Sequence, residues 1–271
     1  MSTTADVLAE LDRLGTEQNR KIYARHGVPS PCSGVSFASF GQLRKRLGVD
    51  PALARGLMAS GNSDAQLLAT MVCDARALDD AEAQAWVEGA RWHGLSDALA
   101  TAFVDAPRAP VWARRWMKDR RETVRRTGYS LVACLTRAGR EDVEDGWLAD
   151  VLVTIERELH RSPNFARAAM NTALIAIGGD RPALTAVALA AAKRIGRVEV
   201  DHGQTGCKTP DAAEYIGKMR ARAAGKTSTS RRRPAAKSSK GAAKEGAARS
   251  GATRARGSLA GGRPGASSRR G

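Results

Sequence analysis

The 271-residue sequence has few aromatic residues, few cysteines and no long hydrophobic run. Phe, Trp and Tyr make up 4% of the chain, and the four cysteines are widely spaced without a C-x-x-C pair. A structural zinc needs four ligands, so we expect neither a metal site nor a disulfide framework. The longest apolar run, residues 183–192, is too short to cross a bilayer. Acidic residues interrupt the N-terminus where a secretion signal would be apolar. The sequence thus predicts an intracellular protein without membrane spans, metal or cofactor.

Strand signals are also missing, because the chain has no alternating Val, Ile, Thr and Tyr segments and no Asn-Gly turns between apolar runs. Helix signals recur instead, with capping residues before prolines at Asp50-Pro51 and Ser162-Pro163 and glycines where helices should stop. Together with apolar residues at helical spacing, they predict about twelve helices, near residues 5–14, 17–25, 37–47, 51–59, 62–74, 79–90, 94–105, 110–118, 120–137, 143–159, 163–177 and 181–195.

Positive charge is concentrated at the C-terminal end. Lys and Arg total 44 against 28 Asp and Glu, a net charge of +16. Residues 222–271 hold 14 of these cations and one acid, and Ala, Gly, Ser, Lys and Arg fill 43 of their 50 positions. Such a segment cannot bury enough apolar surface to fold, so we predict a folded domain at 1–221 and a disordered tail at 222–271. The tail is suited to binding a polyanion such as DNA; alternatively, it only keeps the protein soluble.

The segment 120–137 combines an apolar helical face with a dense set of arginines. Glu122, Arg126 and Tyr129 are predicted on the opposite, solvent-facing side, with Arg121 and Arg125 at the border. The simplest interpretation is a surface helix with an i,i+4 ion pair between Glu122 and Arg126. The apolar face holds Val124, Gly128, Leu131, Val132 and Leu135.

Three helical segments, 64–73, 123–132 and 165–174, resemble one another in sequence. Their alignment places Gln66, Arg125 and Arg167 at equivalent positions. Degenerate helix pairs at such spacing are typical of HEAT-type repeats, which stack into a curved solenoid and put equivalent positions on one concave surface. We therefore predict an all-α protein, an α-solenoid of HEAT-like helix pairs forming an armadillo-type superhelix. The alternative is a chance similarity among alanine-rich helices.

A series of motifs in fixed order resembles the DNA alkylation repair family, the HEAT-like-repeat alkylpurine DNA glycosylases. The resemblance spans roughly residues 20–218 and excludes the tail. It implies an α-solenoid with a basic concave face that holds duplex DNA. The motifs occupy residues 23–28, 34–48, 61–71, 92–97, 116–129, 165–178 and 201–216.

The resemblance also implies roles for individual residues. Asp97 matches a carboxylate thought to stabilise the cationic sugar as an N3- or N7-alkylated purine leaves. Trp92 or His93 stands where a first aromatic belongs, and Arg126 matches a DNA-contacting arginine. A second aromatic is expected in the helix that follows residue 165, at the position where this sequence has Ala173. This departure keeps a second hypothesis open, a non-catalytic HEAT-repeat protein that binds DNA or acts as a scaffold.

The predicted site thus has a catalytic part and a DNA-binding part. The catalytic part is Asp97 with Trp92 and His93. The partner is double-stranded DNA, alkylated or structurally altered, and the protein is expected to be a cytoplasmic, nucleoid-associated monomer. A third hypothesis is a protein–protein adaptor that the tail localises. The predicted DNA-binding residues are Arg44, Lys45, Arg121, Arg125, Arg126, Arg167, Lys208, Arg231, Arg232 and Arg233.

Overall fold

The computed structural model describes residues 2–231, and all regular secondary structure in this part of the chain is helical, as predicted. The helices are α1 Thr4–Leu14, α2 Glu17–Arg25, α3 Phe37–Leu47, α4 Pro51–Ala59, α5 Ser63–Val72, α6 Asp80–Glu88, α7 His93–Phe103, α8 Ala109–Trp116, α9 Glu122–Arg137, α10 Asp145–Glu158, α11 Asn164–Asp180, α12 Thr185–Ile195 and α13 Ala212–Arg231. Short 3-10 turns lie at Ala75–Ala77, Leu159–Arg161 and Pro182–Leu184.

Capping residues account for several helix starts. The Asp50 side chain accepts the Leu53 N–H and Pro51 occupies the first turn of α4, as the sequence predicted. The start of α11 differs, because Pro163 stands at the N-cap and supplies no capping side chain. Ser162 instead donates its hydroxyl to the Glu158 carbonyl at 2.9 Å. The first N–H groups of α11 therefore need acceptors from elsewhere in the protein.

The helices form two layers. In one layer α5, α7, α9, α11 and α13 pack side by side in chain order, and we call these the inner helices. In the other layer α4 packs behind α5, α8 behind α9, and α12 behind α11 and α13. Each inner helix thus contacts the next along the chain, which is the stacking of an α-solenoid.

Two tryptophans of α8 are buried in the core. Trp112 and Trp116 are 2% and 1% exposed and stack on each other at 5.7 Å between ring centroids. Their indole N–H groups reach α6, where Asp80 Oδ1 accepts at 2.8 Å and Gln84 Oε1 at 2.7 Å. Gly128 lets α9 approach this same α8, because an added Cβ would lie 2.3 Å from the Met117 nitrogen.

Two side chains predicted to face outward are buried. Tyr129 is fully buried, and burial raises the pKa of its hydroxyl. Gln66 is 6% exposed and donates Nε2 to the Met58 carbonyl at 3.3 Å, so it does not share a concave surface with Arg125 and Arg167. Both residues lie on inner helices, which pack against both neighbours and the second layer. Such helices bury a wider arc than the single stripe of a surface helix.

The last helix, α13, spans Ala212–Arg231 and so extends past residue 221, where the sequence placed the end of the folded domain. The side chain of Arg231 and the whole of Arg232 and Arg233 lie outside the described residues. Within residues 2–231, no single helix is long and apolar enough to cross a membrane. One pair of helices, Asn164–Asp180 and Pro182–Ile195, meets the length and composition criteria together, but it is bent by 111°.

Candidate functional site

A row of cavities follows the N-terminal ends of the inner helices. One cavity joins the start of α5, at Ser63, to the start of α7, at His93. A second is lined by His93, by Glu122 at the start of α9 and by Phe165 at the start of α11. A third runs from α11 to Asp211, just before α13. Helix N-termini carry partial positive charge, so the second and third cavities, which we call the groove, are suited to an anionic ligand.

A carboxylate held by three donors lies beside the groove. Asp97, one turn into α7, receives Arg126 Nε on Oδ1 at 3.0 Å and Arg126 Nη2 on Oδ2 at 2.6 Å. The Ser130 hydroxyl donates to the same Oδ1 at 2.7 Å. The Asp97 side chain is still 45% exposed, whereas that of Arg126 is 11% exposed. The carboxylate is therefore fixed in orientation and reachable from solvent.

Arg126 also connects three inner helices. Its Nη1 donates to the Phe165 carbonyl at 2.7 Å and its Nε to the His93 carbonyl at 3.2 Å. The predicted i,i+4 pair with Glu122 is not formed. Glu122 Oε1 instead accepts the Phe165 N–H at 2.6 Å, because the start of α11 has no capping side chain of its own. Both residues thus hold the start of α11 against α7 and α9.

An aromatic pair stands next to this ion pair. The rings of His93 and Phe165 stack at 4.4 Å between centroids with an 18° tilt. Burial, followed by the positive charge of Arg126, lowers the pKa of His93. Trp92 meets His93 edge-on at 6.0 Å and lies on Gly94, where a Cβ would come within 1.9 Å of the indole. Both aromatic candidates therefore reach the groove.

A second ring lines the groove at a position other than that of Ala173. Ala173 is fully buried in the middle of α11, so a larger side chain at this position would point into the core and not into the groove. The ring is supplied by Phe165, two turns earlier on the same helix, which the sequence reasoning missed. Its partner, His93, lies 72 positions away, and no local pattern reveals that pairing. The available signal was an aromatic residue two positions after Pro163, at a helix start.

Two predicted DNA-binding residues line the part of the groove near the C-terminus. Arg167 and Lys208 share a cavity of about 980 Å³ with Asn164 and Arg197. Arg167 donates to the Glu199 carbonyl at 2.8 Å and to the Ser162 carbonyl at 3.1 Å, so much of its guanidinium is engaged by the protein. Lys208 is exposed.

The other described candidates lie outside the groove. Arg125 occupies a separate cleft, where it contacts Glu158 at 2.6 Å beside Arg157 and Arg161. The solvent-exposed Arg121 pairs with Asp119 and with Glu88. Arg44 and Lys45 are exposed at the C-terminal end of α3, roughly 10 Å along the helix from its first residue. Their predicted roles in DNA binding stay predictions.

A segment that follows α2 and a segment that precedes α13 meet beside the groove. Arg25 and Gly27, at the end of α2, line a cavity of about 170 Å³ together with Gly203, His93 and Phe165. A Cβ at Gly203 would lie 3.9 Å from the Arg25 carbonyl oxygen. The stacked pair is therefore flanked by an N-terminal and a C-terminal segment.

Three of the four thiols are separate from this chemistry, whereas Cys207 is exposed and lines two of the cavities. Cys32 donates its thiol to Asp64 at 3.0 Å, and burial together with that carboxylate raises its pKa to about 12. Burial raises the pKa of Cys73 to about 11 and also raises that of Cys134. Protonated thiols are weak nucleophiles. Within residues 2–231, we find no group of three or more His, Cys, Asp or Glu arranged to hold a metal ion.

Known proteins share this architecture and sequence. The chain is 27% identical over 229 residues to uncharacterized proteins of Listeria innocua and Listeria monocytogenes, covering 82% of this chain and 99% of each relative. It also resembles a solved structure at a TM-score of 0.75 and 28% identity, covering 82% of this chain and 95% of the other. That structure is described as representing a new family of proteins related to the HEAT-like repeat DNA glycosylases, with affinity for branched DNA structures.

A family profile confirms the resemblance on which the sequence analysis relied. The profile is described as DNA alkylation repair enzyme, and it matches residues 7–216. The match contains all the inner helices up to the first residues of α13, and with them every residue of the groove. This chain belongs to the DNA alkylation repair enzyme family.

Proposed function

We propose that this protein binds duplex DNA along the groove and releases N3- or N7-alkylated purines from it. The observation that carries the proposal is the Asp97 carboxylate, oriented by three donors and half exposed beside the stacked rings of His93 and Phe165. The helix N-termini and the cations Arg167 and Lys208 would hold the phosphates that flank this point.

Asp97 is suited to the charge that develops in this reaction. An alkylated purine carries positive charge, so the C1′–N bond breaks with its electron pair going to the base, which leaves neutral. The sugar becomes cationic, and a fixed carboxylate stabilises that cation without reorganising. Water then adds at C1′ and loses a proton to solvent or to the carboxylate. The protein thus needs a positioned negative charge more than an acid to protonate the leaving base.

The two rings offer a flat surface for the deoxyribose or a base next to the lesion. The His93 ring is held neutral by its lowered pKa, so stacking brings no added positive charge toward the sugar cation. Arg126 aligns Asp97 and leaves part of the carboxylate free, since the Asp97 side chain is 45% exposed. In this proposal Arg126 positions the carboxylate instead of gripping a phosphate.

Release of free methylated purine from alkylated duplex tests the proposal. Wild-type protein should release base in single-turnover assays, and Asp97→Asn should lower the rate at least tenfold with little change in duplex affinity. Asp142→Asn is a matched control, because Asp142 is 49% exposed and also pairs with an arginine, Arg140, away from the groove. Release that survives Asp97→Asn at the wild-type rate rejects the assigned role.

A second function is favoured by the ion pair itself. Arg126 largely neutralises Asp97, which weakens the field at a sugar cation and suits a protein that recognises altered or branched DNA without cutting it. The solved relative with affinity for branched DNA supports this alternative. It predicts tight binding to a four-way junction, no release of methylated base, and equal affinities for wild type and Asp97→Asn.

A further inference from the structure

The cavity between α2, α3, α5 and α7 has the dimensions of a small-molecule site. Its volume is about 460 Å³, within the usual range for such pockets. Ile22 and Tyr23 from α2 form one side, and Phe37 at the first position of α3 forms another. Leu67 of α5 and the start of α7 complete it. We call it the side pocket.

The walls of the side pocket are aromatic and aliphatic. Five rings line it, and the most unusual is Phe37, which is 67% exposed and meets only the edge of Phe40 at 6.1 Å among the described aromatic rings. An exposed phenyl ring at the mouth of an apolar pocket suits a flat partner. Tyr23 is fixed by donating its hydroxyl to the Val35 carbonyl at 2.5 Å. The rings belong to Tyr23, His26, Phe37, Trp92 and His93.

The charges around the side pocket disfavour a phosphate. Among the described residues that line it there is no Lys or Arg. Its one carboxylate, Asp64, is 3% exposed and accepts the N–H groups of Gly34 and Val35, each at 3.0 Å. Its other polar groups belong to short side chains such as Asn19 and Ser36 and to the rings that line it. A ligand with apolar faces and a polar edge matches this lining, and a nucleobase has that chemistry.

His93 connects the side pocket with the candidate site. The residue lines both the side pocket and the cavity that holds Glu122, Arg126 and Phe165. It also precedes Asp97 by one helical turn, so the two side chains are neighbours on α7. We infer that the side pocket receives an unpaired purine base from a DNA strand whose sugar lies near Asp97. This inference rests on the proposed DNA binding in the groove and adds a second contact to it.

A fluorescent base tests the inference on the full-length protein. Two duplexes are compared, one with a single unpaired 2-aminopurine and one with 2-aminopurine paired to thymine. Wild-type protein should quench the unpaired probe on binding, because the base stacks on Phe37 and its neighbours. Phe37→Ala should weaken binding of the unpaired-base duplex about tenfold and leave the paired duplex unchanged. Tyr215→Ala, which removes another exposed aromatic ring, should change neither.

A variant that fills the side pocket distinguishes loss of base binding from loss of folding. Val28 lines the side pocket and is half-buried, so Val28→Trp should fill the space and abolish the quenching while the thermal melt stays cooperative. The inference is overturned if the protein binds the paired duplex but does not quench the unpaired probe. It is also overturned if Phe37→Ala and Tyr215→Ala have the same effect on binding of the unpaired-base duplex. If neither duplex binds better than a polyanion such as heparin, the proposed function fails as well, and the two failures are distinguishable.

Discussion

Asp97 and Arg126 face each other across neighbouring inner helices and join at two points, Nε to Oδ1 at 3.0 Å and Nη2 to Oδ2 at 2.6 Å. The pair lies at the edge of the groove and also ties α7 to α9. Arg126 reaches on to the Phe165 carbonyl and so includes α11 in the same network. One arginine therefore fixes both the orientation of the carboxylate and the spacing of three helices.

The free energy of unfolding should register this network. Arg126→Met keeps the bulk of the side chain but removes the charged partner of Asp97 and one donor to each of the His93 and Phe165 carbonyls, and should cost about 3 kcal/mol. Asp97→Asn should cost less, because Asp97 is half exposed. The loss of unfolding free energy in the double variant should be about 1 kcal/mol smaller than the sum of the two single losses. Urea denaturation of the four proteins measures this coupling, and strictly additive costs would contradict it.

Gly128 should not tolerate replacement by a larger residue, because it lies where α9 packs closely against the end of α8. An added Cβ meets the Met117 nitrogen at 2.3 Å and the Trp116 carbonyl carbon at 2.6 Å, and backbone atoms there cannot move aside. Gly128→Ala should lower stability by about 3 kcal/mol. Gly41→Ala is the control, because Gly41 lies within α3 with nothing within 4 Å of its Cβ. It should raise stability by up to about 1 kcal/mol, and thermal melts compare the two.

Protonation of His93 should destabilise the fold. Burial and Arg126 hold its pKa below the ordinary value in the folded state, so the unfolded chain binds more protons between the two pKa values. The stabilising contribution is therefore complete above the unfolded pKa of about 6.5 and is lost as the pH falls through the folded pKa. His93→Phe should lose less stability than wild type between about pH 7 and pH 5.5. Equal losses, measured by urea denaturation, would argue against this.

The segment after α13 should govern the salt dependence of DNA binding. Residues 232–271 contain eleven Lys or Arg and one Glu. Each phosphate that a cation neutralises adds about 0.9 to the slope of log K against log salt. Removing these residues should reduce that slope by up to about 10 while a preference for altered over plain duplex persists. A preference that disappears with the segment would place recognition outside the groove.

Helices were predictable from this sequence because their signals are local. Asp50 before Pro51 fixed the start of α4, and the described residues are helical near all the predicted segments. The burial of Tyr129 was not predictable, since the width of a buried face depends on how many helices surround it. The pairing of His93 with Phe165 was also hidden, because it depends on the register between α7 and α11. Resemblance placed Asp97 and Arg126, but only coordinates revealed that they bind each other.

Arg25 and Gly203 lie close together although they are far apart in sequence, and they line one cavity with His93 and Phe165. Stacked helix repeats usually contact only their neighbours, so they can unfold from either end in steps. Here a segment just after α2 and a segment just before α13 flank the same cavity. We therefore expect residues 2–231 to unfold in a single cooperative transition that opens this cavity.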